Sequence, residues 1–330
     1  MEFLKESISN AKQSDSVGES KRSVEAGTAG DTHAAATGKS VQAPAFGPIG
    51  PRRLIQSCVF NMFRGAAIIN GIALFIIISF LVYYGWRAIN WTFLSQAPTD
   101  SMTKGGIWPC IVGTFLLSFG AMLVAFPWGI ASAIYLHEYA RPGLAVRIIR
   151  LGISNLAGVP SVVFGLFGLA FFVTWCKFGV SILSGVLTLG VLILPVIIGT
   201  AEEALRSVPV TYREASLGLG ATKWQTIYRV VLPAAFPGML TGSILGISRA
   251  AGETAAIMFT AAVFFTPYLP SSIFDPVMAL PYHIYVLATA GTQIEVTRPL
   301  QYGSALVLIA LVFGMNLIAI FYRAKLQRTR

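Results

Sequence analysis

Charged residues are scarce in this chain. They make up 12% of its 330 residues, whereas a soluble domain usually carries about 25%. This shortage excludes the class of soluble globular proteins. The chain also lacks the short segments of alternating polar and apolar residues that a membrane β-barrel requires.

Cysteine and histidine are equally rare, with three of each. The cysteines have no metal-binding or disulfide spacing, and no second histidine completes a zinc motif after His137-Glu138. The tripeptide Gly38-Lys39-Ser40 resembles the end of a phosphate-binding loop, but His33 stands where that loop needs its first glycine. We therefore expect no metal, no cofactor and no nucleotide site in this chain.

What the chain does contain is long apolar runs. Six are long enough to cross the roughly 30 Å hydrocarbon core as helices: Ala66–Trp86, Ile107–Leu136, Arg147–Trp175, Val180–Thr200, Pro237–Phe265 and Tyr302–Tyr322. We predict an all-α, polytopic membrane protein with about six transmembrane helices. Residues 51–330 form its membrane domain, and residues 1–50, rich in small and polar residues, are predicted to be a disordered arm.

The basic residues indicate the orientation of these spans. With the N-terminus inside and six crossings, 19 of the 24 lysines and arginines lie inside, four lie outside, and Arg249 lies within a span. We expect both termini to be cytoplasmic. The net charge of +10 is then explained by orientation in a lipid membrane, not by nucleic-acid binding.

A polar interval, Glu214–Pro233, separates the fourth and fifth predicted spans. Thr211 and Glu214 have the spacing of a capping box, and Pro209 prevents the helix from extending upstream. Gly220 suits the left-handed residue that ends a helix. The first part of the interval therefore predicts a short capped helix.

A second capping box is predicted at Thr222-Lys-Trp-Gln225. The helix that follows should run from Lys223 to about Leu232 and stop at Pro233. Its apolar face is expected to contain Trp224, Ile227 or Tyr228, and Val231. We call residues 209–233 the polar hairpin. It could lie on the lipid surface, act as a DNA-binding helix–turn–helix, which the closely flanking spans disfavour, or dock in a groove of a partner.

The residues Glu214-Ala215, Gly220 and Val230-x-Leu232-Pro233 resemble the EAA motif of ABC importer permeases. Ser216 and Val230 depart from its usual alanine and isoleucine. In that family the segment sits in a cleft of the ATPase subunit. The resemblance implies that the hairpin couples this chain to ATP hydrolysis elsewhere, through coupling residues Glu214, Ala215, Gly220, Leu232 and Pro233.

Two charges lie in the fifth predicted span, Arg249 and Glu253. Their spacing of four residues places them on one face of a helix. Each charge near the centre of a membrane costs roughly 2.5–3.5 kcal/mol. Two interpretations stay open: an internal ion pair that holds helices together, and a cationic station for an anion crossing the membrane, since Arg can hold an oxyanion by two parallel hydrogen bonds.

The sequence Ser248-Arg249-Ala-Ala-Gly252-Glu253-Thr254-Ala255 is similar to the Arg-x-x-Gly-Glu-Thr-Ala pattern of phosphate ABC importer permeases. Further matches to their PstA type are Pro281–Tyr285 and Leu136–Ala140, and the sister PstC type is the nearest alternative. The resemblance implies a MetI-like permease fold in a bacterial inner membrane. It implies a substrate path at Ser248, Arg249, Glu253 and Thr254.

The same resemblance implies a non-catalytic subunit with three partners. These are a PstB-like ATPase, a PstC-like sister permease and a PstS-like phosphate-binding protein, which would dock on the outer connection Thr266–Gln301. That connection could equally be an ordinary surface loop. Other functions that stay open are a permease for sulfate or molybdate, a gradient-driven secondary transporter, and a scaffold or sensory protein.

Three glycines recur every fourth residue in the fifth predicted span, at Gly238, Gly242 and Gly246. Small residues at this period allow two membrane helices to approach closely. We expect this stripe to pack against a neighbouring helix, and contact with the sister permease is a second interpretation.

Overall fold

A computed structural model describes residues 49–99, 102, 104–290 and 294–328. The chain divides into two units, residues 1–66 and residues 67–330. The described part of the first unit is the beginning of the first helix. Apart from Ile49 and Gly50, which are already helical, the predicted disordered arm lies outside the described residues.

The described residues are mostly helical, which confirms the all-α prediction. The helices are α1 (Ile49–Gly85), α2 (Trp91–Ser95), α3 (Trp108–Ile134), α4 (Leu144–Ala157), α5 (Ser161–Gly168), α6 (Ile182–Arg206), α7 (Val210–Gly218), α8 (Lys223–Thr226), α9 (Leu232–Ala251), α10 (Ala255–Thr260), α11 (Leu280–Thr289) and α12 (Ile294–Arg328). A 3-10 turn, Trp86–Ala88, follows α1, and π-helical turns follow α3, α5 and α8 at Tyr135–Tyr139, Leu169–Trp175 and Ile227–Val231. Two short strands, β1 (Pro98–Thr99) and β2 (Lys104–Gly105), pair antiparallel.

The number of membrane-crossing helices agrees with the prediction. Five are long and apolar enough to cross: Gln56–Ala88, Trp108–Tyr139, Ile182–Arg206, Lys223–Ala251 and Thr297–Lys325. The third predicted span, Arg147–Trp175, is a pair of helices bent by 102°, so the count is six if this pair is one span. Pro160 lies at the bend, where it cannot donate to the helical ladder and keeps the preceding residue out of the helical conformation.

The fifth predicted span, Pro237–Phe265, is wrong at both ends. The continuous helix begins at Lys223 and ends at Ala251. Gly252 ends α9, two non-helical residues follow, and α10 restarts the helix at Ala255. The apolar run continues across this break, so hydropathy alone does not detect it.

Helices α3, α6 and α9 form the centre of the second unit. The predicted glycine stripe of α9 lies against α6. A Cβ added at Gly238 would lie 2.8 Å from the Cβ of Ala204, and one added at Gly242 would overlap the hydroxyl of Thr200. The glycines thus allow the two backbones to approach more closely than larger side chains would permit.

The chain between Ala261 and Leu280 folds back over the ends of α3 and α6. The N–H of Ile182 donates to the carbonyl of Asp275 at 2.9 Å, which satisfies a group in the first turn of α6. The hydroxyl of Thr114 on α3 accepts from the N–H of Leu280 at 2.8 Å. These bonds position α11, so the connection 266–301 is more than an ordinary surface loop: Leu280 is buried in it, together with His283 and Leu287.

Candidate functional site

The polar hairpin begins with α7, whose start differs from the prediction. Pro209, with φ −56° and ψ 142°, is the N-cap, and no side chain caps the helix. The predicted capping box of Thr211 and Glu214 is therefore wrong, because Thr211 is already the second residue of the helix. Glu214 and Ala215 are exposed on α7.

Gly220 makes the turn between α7 and α8. Its φ of +83° lies in the left-handed region, which is the conformation predicted for it. The N–H of Ala221 donates to the carbonyl of Ser216 at 3.2 Å, and the N–H of Gly220 donates to the carbonyl of Leu217 at 2.9 Å. This pair of bonds is a Schellman motif, which satisfies carbonyls that a helix end otherwise leaves unpaired.

The second predicted capping box is present. The N–H of Gln225 donates to the hydroxyl of Thr222 at 3.3 Å, and the N–H of Thr222 donates to the side-chain oxygen of Gln225 at 2.9 Å. The prediction that Pro233 stops this helix is wrong. Pro233, which has no backbone N–H to donate, lies in the first turn of α9, and the π turn Ile227–Val231 joins α8 to α9 without a break.

The second helix exposes two aromatic side chains. Trp224 and Tyr228 are 61% and 60% exposed, and their rings stack with centroids 6.2 Å apart. Ile227 and Val231 are buried, so the predicted single apolar face is in fact two faces. At the tip of the hairpin Leu219 is 90% exposed. An exposed apolar tip beside stacked aromatics is the composition of a protein-binding surface.

The base of the hairpin is held by Arg213, which sequence reasoning did not single out. Its Nη2 and Nε lie 2.8 and 3.3 Å from Oε1 of Glu138. The same guanidinium donates to the carbonyls of Val208 at 2.8 Å and Leu205 at 3.0 Å. One side chain of α7 therefore joins the ends of α3 and α6, a geometry that suits the planar donor fork of arginine.

Lys223 adds a second link to the π turn Tyr135–Tyr139, which contains Glu138. Its ammonium donates to the backbone carbonyl of Glu138 and lies 4.9 Å from the ring centre of Tyr139. Glu138 belongs to the segment Leu136–Ala140 that resembles phosphate permeases. Its relation to Arg213, 75 positions away, has no local signal in the sequence.

The charged pair in the membrane is arranged differently from the prediction. Arg249 lies in the last turn of α9, and Glu253 lies in the non-helical break after Gly252. The two are therefore not on one face of one helix. In the described part of the chain, neither side chain makes a hydrogen bond or an ion pair, which argues against the interpretation as an internal pair. Arg249 is exposed.

A broken helix is itself informative in a membrane protein. Non-helical backbone at membrane depth is tolerated where it is buried in protein or lines a cavity. Glu253 and Thr254 form such a break next to an arginine, and α10 beyond them buries Ala256 and Ile257. The break therefore places a carboxylate and polar backbone groups within a few residues of Arg249 along the chain.

Asn316 of α12 is a polar neighbour of this site that the sequence analysis missed. The hydroxyl of Ser248 lies 2.9 Å from its Oδ1 and also donates to the carbonyl of Ile244 at 2.8 Å. An asparagine inside a long apolar helix was the available signal, because polar residues in membrane spans usually face the protein interior.

Comparison with known proteins agrees with this architecture. Residues 125–330 match the family described as the binding-protein-dependent transport system inner membrane component. The chain is 33% identical to the probable ABC transporter permease protein YqgI of Bacillus subtilis strain 168, over 81% of this chain and 95% of that protein. It is 35% identical to the phosphate transport system permease protein PstA of Mycobacterium leprae strain TN, over 86% of this chain and 94% of that protein.

Two solved structures share the fold. One is a bacterial alginate ABC transporter in complex with an alginate pentasaccharide-bound periplasmic protein, with a TM-score of 0.58 and 14% identity over 82% of this chain and 96% of that chain. The other is the inward-facing MetNI methionine ABC transporter, with a TM-score of 0.52 and 19% identity over 67% of this chain and 94% of that chain. The chain therefore belongs to the family of permeases from binding-protein-dependent ABC importers and has their MetI-like fold.

Proposed function

We propose that this chain is the permease subunit of an ATP-driven importer of inorganic phosphate, and that Arg249 is the cationic station on the substrate path. The observation that carries the proposal is the exposed Arg249 at a helix break, without a partner among the described residues. The similarity to PstA of Mycobacterium leprae over 86% of the chain supports phosphate as the substrate.

Arg249 supplies the attraction for the anion. Its guanidinium is always charged and can hold two phosphate oxygens by parallel hydrogen bonds. A lone cation near the middle of a membrane costs roughly 2.5–3.5 kcal/mol, and a bound anion offsets this cost. Ser248 and Thr254 flank the station and offer hydroxyl groups.

Glu253 supplies the discrimination. Its carboxylate can accept a hydrogen bond from the acid proton of monohydrogen phosphate. Sulfate has no such proton at neutral pH, so its oxygens would face the carboxylate without a donor between them. Two negative charges that face each other without a proton between them repel, so the site rejects sulfate more strongly than the loss of one hydrogen bond alone would cause.

ATP is hydrolysed by a partner in this proposal. The polar hairpin, with exposed Glu214, Ala215 and Gly220, docks on a PstB-like ATPase, and Leu232 and Pro233 continue the hairpin into α9. The chain pairs with a PstC-like permease and receives phosphate from a PstS-like binding protein. It lies in the bacterial inner membrane with both termini in the cytoplasm.

The test is uptake by the reconstituted transporter with its partner subunits. Arg249→Ala should abolish phosphate uptake while the complex still assembles. The control is Arg87→Ala, which replaces an exposed arginine that is distant from Arg249 in the sequence and should leave uptake unchanged. Glu253→Gln should reduce the preference for phosphate over sulfate. Phosphate uptake at the wild-type rate in Arg249→Ala would refute the site, and uptake driven by an ion gradient without ATP would refute the importer class.

A further inference from the structure

A cavity of about 610 Å³ lies at the start of α4, and none of its lining residues belongs to the proposed substrate path. It is lined by Pro142, Gly143, Leu144, Val146, Arg147, Arg150, Leu151 and Ser154. The cavity combines two cations with apolar side chains in a protein whose family resides in a membrane. This combination suits a ligand that is anionic at one end and apolar at the other.

Helix α4 has an apolar face that the protein does not cover. Leu144, Ile148 and Leu151 are exposed and share one face at the spacing i, i+4, i+7. Val146 and Ile153, on the other side of the helix, pack against the cluster around the ends of α3 and α6. The helix is therefore anchored by one apolar face and leaves a second one open.

Two arginines of the cavity lining, Arg147 and Arg150, border the open apolar face. Arg150 is partly engaged, since its Nη2 donates to the carbonyl of Leu136 at 3.1 Å and its Nε lies 3.7 Å from Glu202. Arg147 is different: within the described residues its guanidinium has neither a hydrogen bond nor an ion pair, and it is exposed. Arg147 is thus a cation held next to a cavity without a protein counter-ion.

We propose that this cavity binds an anionic phospholipid. Arg147, assisted by Arg150, holds the headgroup phosphate, and the acyl chain covers Leu144, Ile148 and Leu151. Charge complementarity selects an anionic headgroup, since each basic residue at a membrane surface adds about fivefold to the affinity for anionic lipid. The apolar face selects a lipid over free phosphate, because a free anion would leave these side chains uncovered.

The position of the cavity relates the lipid to the hairpin. Arg150 is bonded to Leu136, which lies two residues before Glu138, and Glu138 holds the base of the hairpin. A lipid held by Arg150 is therefore linked, through Leu136, to the segment that anchors α7. This inference does not depend on which substrate the permease carries.

The test is binding of phosphatidylglycerol to the full-length permease, purified with its partner subunits in phosphatidylcholine nanodiscs. Arg147→Ala should lower the apparent affinity for phosphatidylglycerol about fivefold, and Arg147→Lys should retain most of it. The matched control is Arg141→Ala, an exposed cation in the same connection that does not line the cavity. Because Arg147 has no described partner, size-exclusion profiles of all three variants should match the wild type.

Three results would overturn the proposal. One is an unchanged phosphatidylglycerol affinity in Arg147→Ala. Another is an equal loss in Arg141→Ala, which would indicate general surface charge. A third is displacement of phosphatidylglycerol by inorganic phosphate alone, which would assign the cavity to a free anion and not to a lipid.

Discussion

Replacing Arg213 by alanine should loosen the polar hairpin from the membrane helices. The substitution removes two contacts to Glu138 and two hydrogen bonds to backbone carbonyls. The side chains of Arg213 and Glu138 are only 17% and 10% exposed. Breaking a buried ion pair on one side costs about 3–5 kcal/mol because the remaining charge stays buried without its partner. The partial exposure places Arg213→Ala at the lower end, about 3 kcal/mol.

Hydrogen exchange measures this loss directly. At 1.36 kcal/mol per tenfold change, about 3 kcal/mol corresponds to an increase of about 150-fold in the opening equilibrium of α7. The amides of Val210–Gly218 should exchange faster by this factor where exchange reports the opening equilibrium, and those of α6 should change little. Arg213→Lys should give an intermediate effect, since an ammonium cannot reproduce the planar donor fork.

The control is Arg229→Ala, a substitution of an exposed cation on the other arm of the hairpin. Its effect on α7 should be within about 0.5 kcal/mol, as for most surface substitutions. If α7 exchanges at the wild-type rate in Arg213→Ala, then the guanidinium does not anchor the hairpin. If Arg229→Ala has an equal effect, then the loss of positive charge, and not the geometry of Arg213, is responsible.

Two further predictions concern stability. Gly113→Ala should lower the melting temperature of the purified protein, at a cost of about 1–3 kcal/mol, because the new Cβ would overlap the backbone carbonyl of Met278. Gly152→Ala is the control, since nothing lies within 4 Å of its added Cβ, and it should be neutral or stabilising. Equal melting temperatures of the two variants would refute the argument. His283 lies outside the membrane-crossing helices, and its burial lowers its pKa from 6.5 to about 4. Between these pH values the unfolded chain binds more protons than the folded protein. The free energy of unfolding should therefore fall as the pH falls from 6.5 towards 4. His283→Phe should flatten this part of the stability profile, and an unchanged profile would show that another group causes it.

Local signals in the sequence predicted local structure well. The left-handed Gly220 and the capping box of Thr222 and Gln225 depend on hydrogen bonds within a few residues, and both are present. The family resemblance is confirmed by the family model that matches residues 125–330, and the prediction of about six spans agrees with the five or six apolar helices of the structure. Thr211 failed as a cap because Pro209, two residues earlier, had already set the start of α7.

Features that depend on distant residues could not be predicted in this way. The pairs Arg213–Glu138 and Ser248–Asn316 are separated by 75 and 68 positions, and only the packing of the helices brings them together. Hydropathy also placed Arg249 and Glu253 on one helix, because the apolar run continues across the break at Gly252. The π turn before Pro233 has no sequence signal that we recognise.

The two capped arms of the polar hairpin have a mechanical consequence. The Schellman motif at Gly220 and the capping box at Thr222 close the tip with hydrogen bonds of its own, so the tip is stiff. The π turn Ile227–Val231, where the hairpin continues into α9, has a less regular hydrogen-bond ladder and is the softer element. When the same force acts on a stiff and a soft segment that are joined end to end, the soft segment deforms more. A displacement of Leu219 should therefore tilt the hairpin about the π turn, while Arg213 restrains the base of α7.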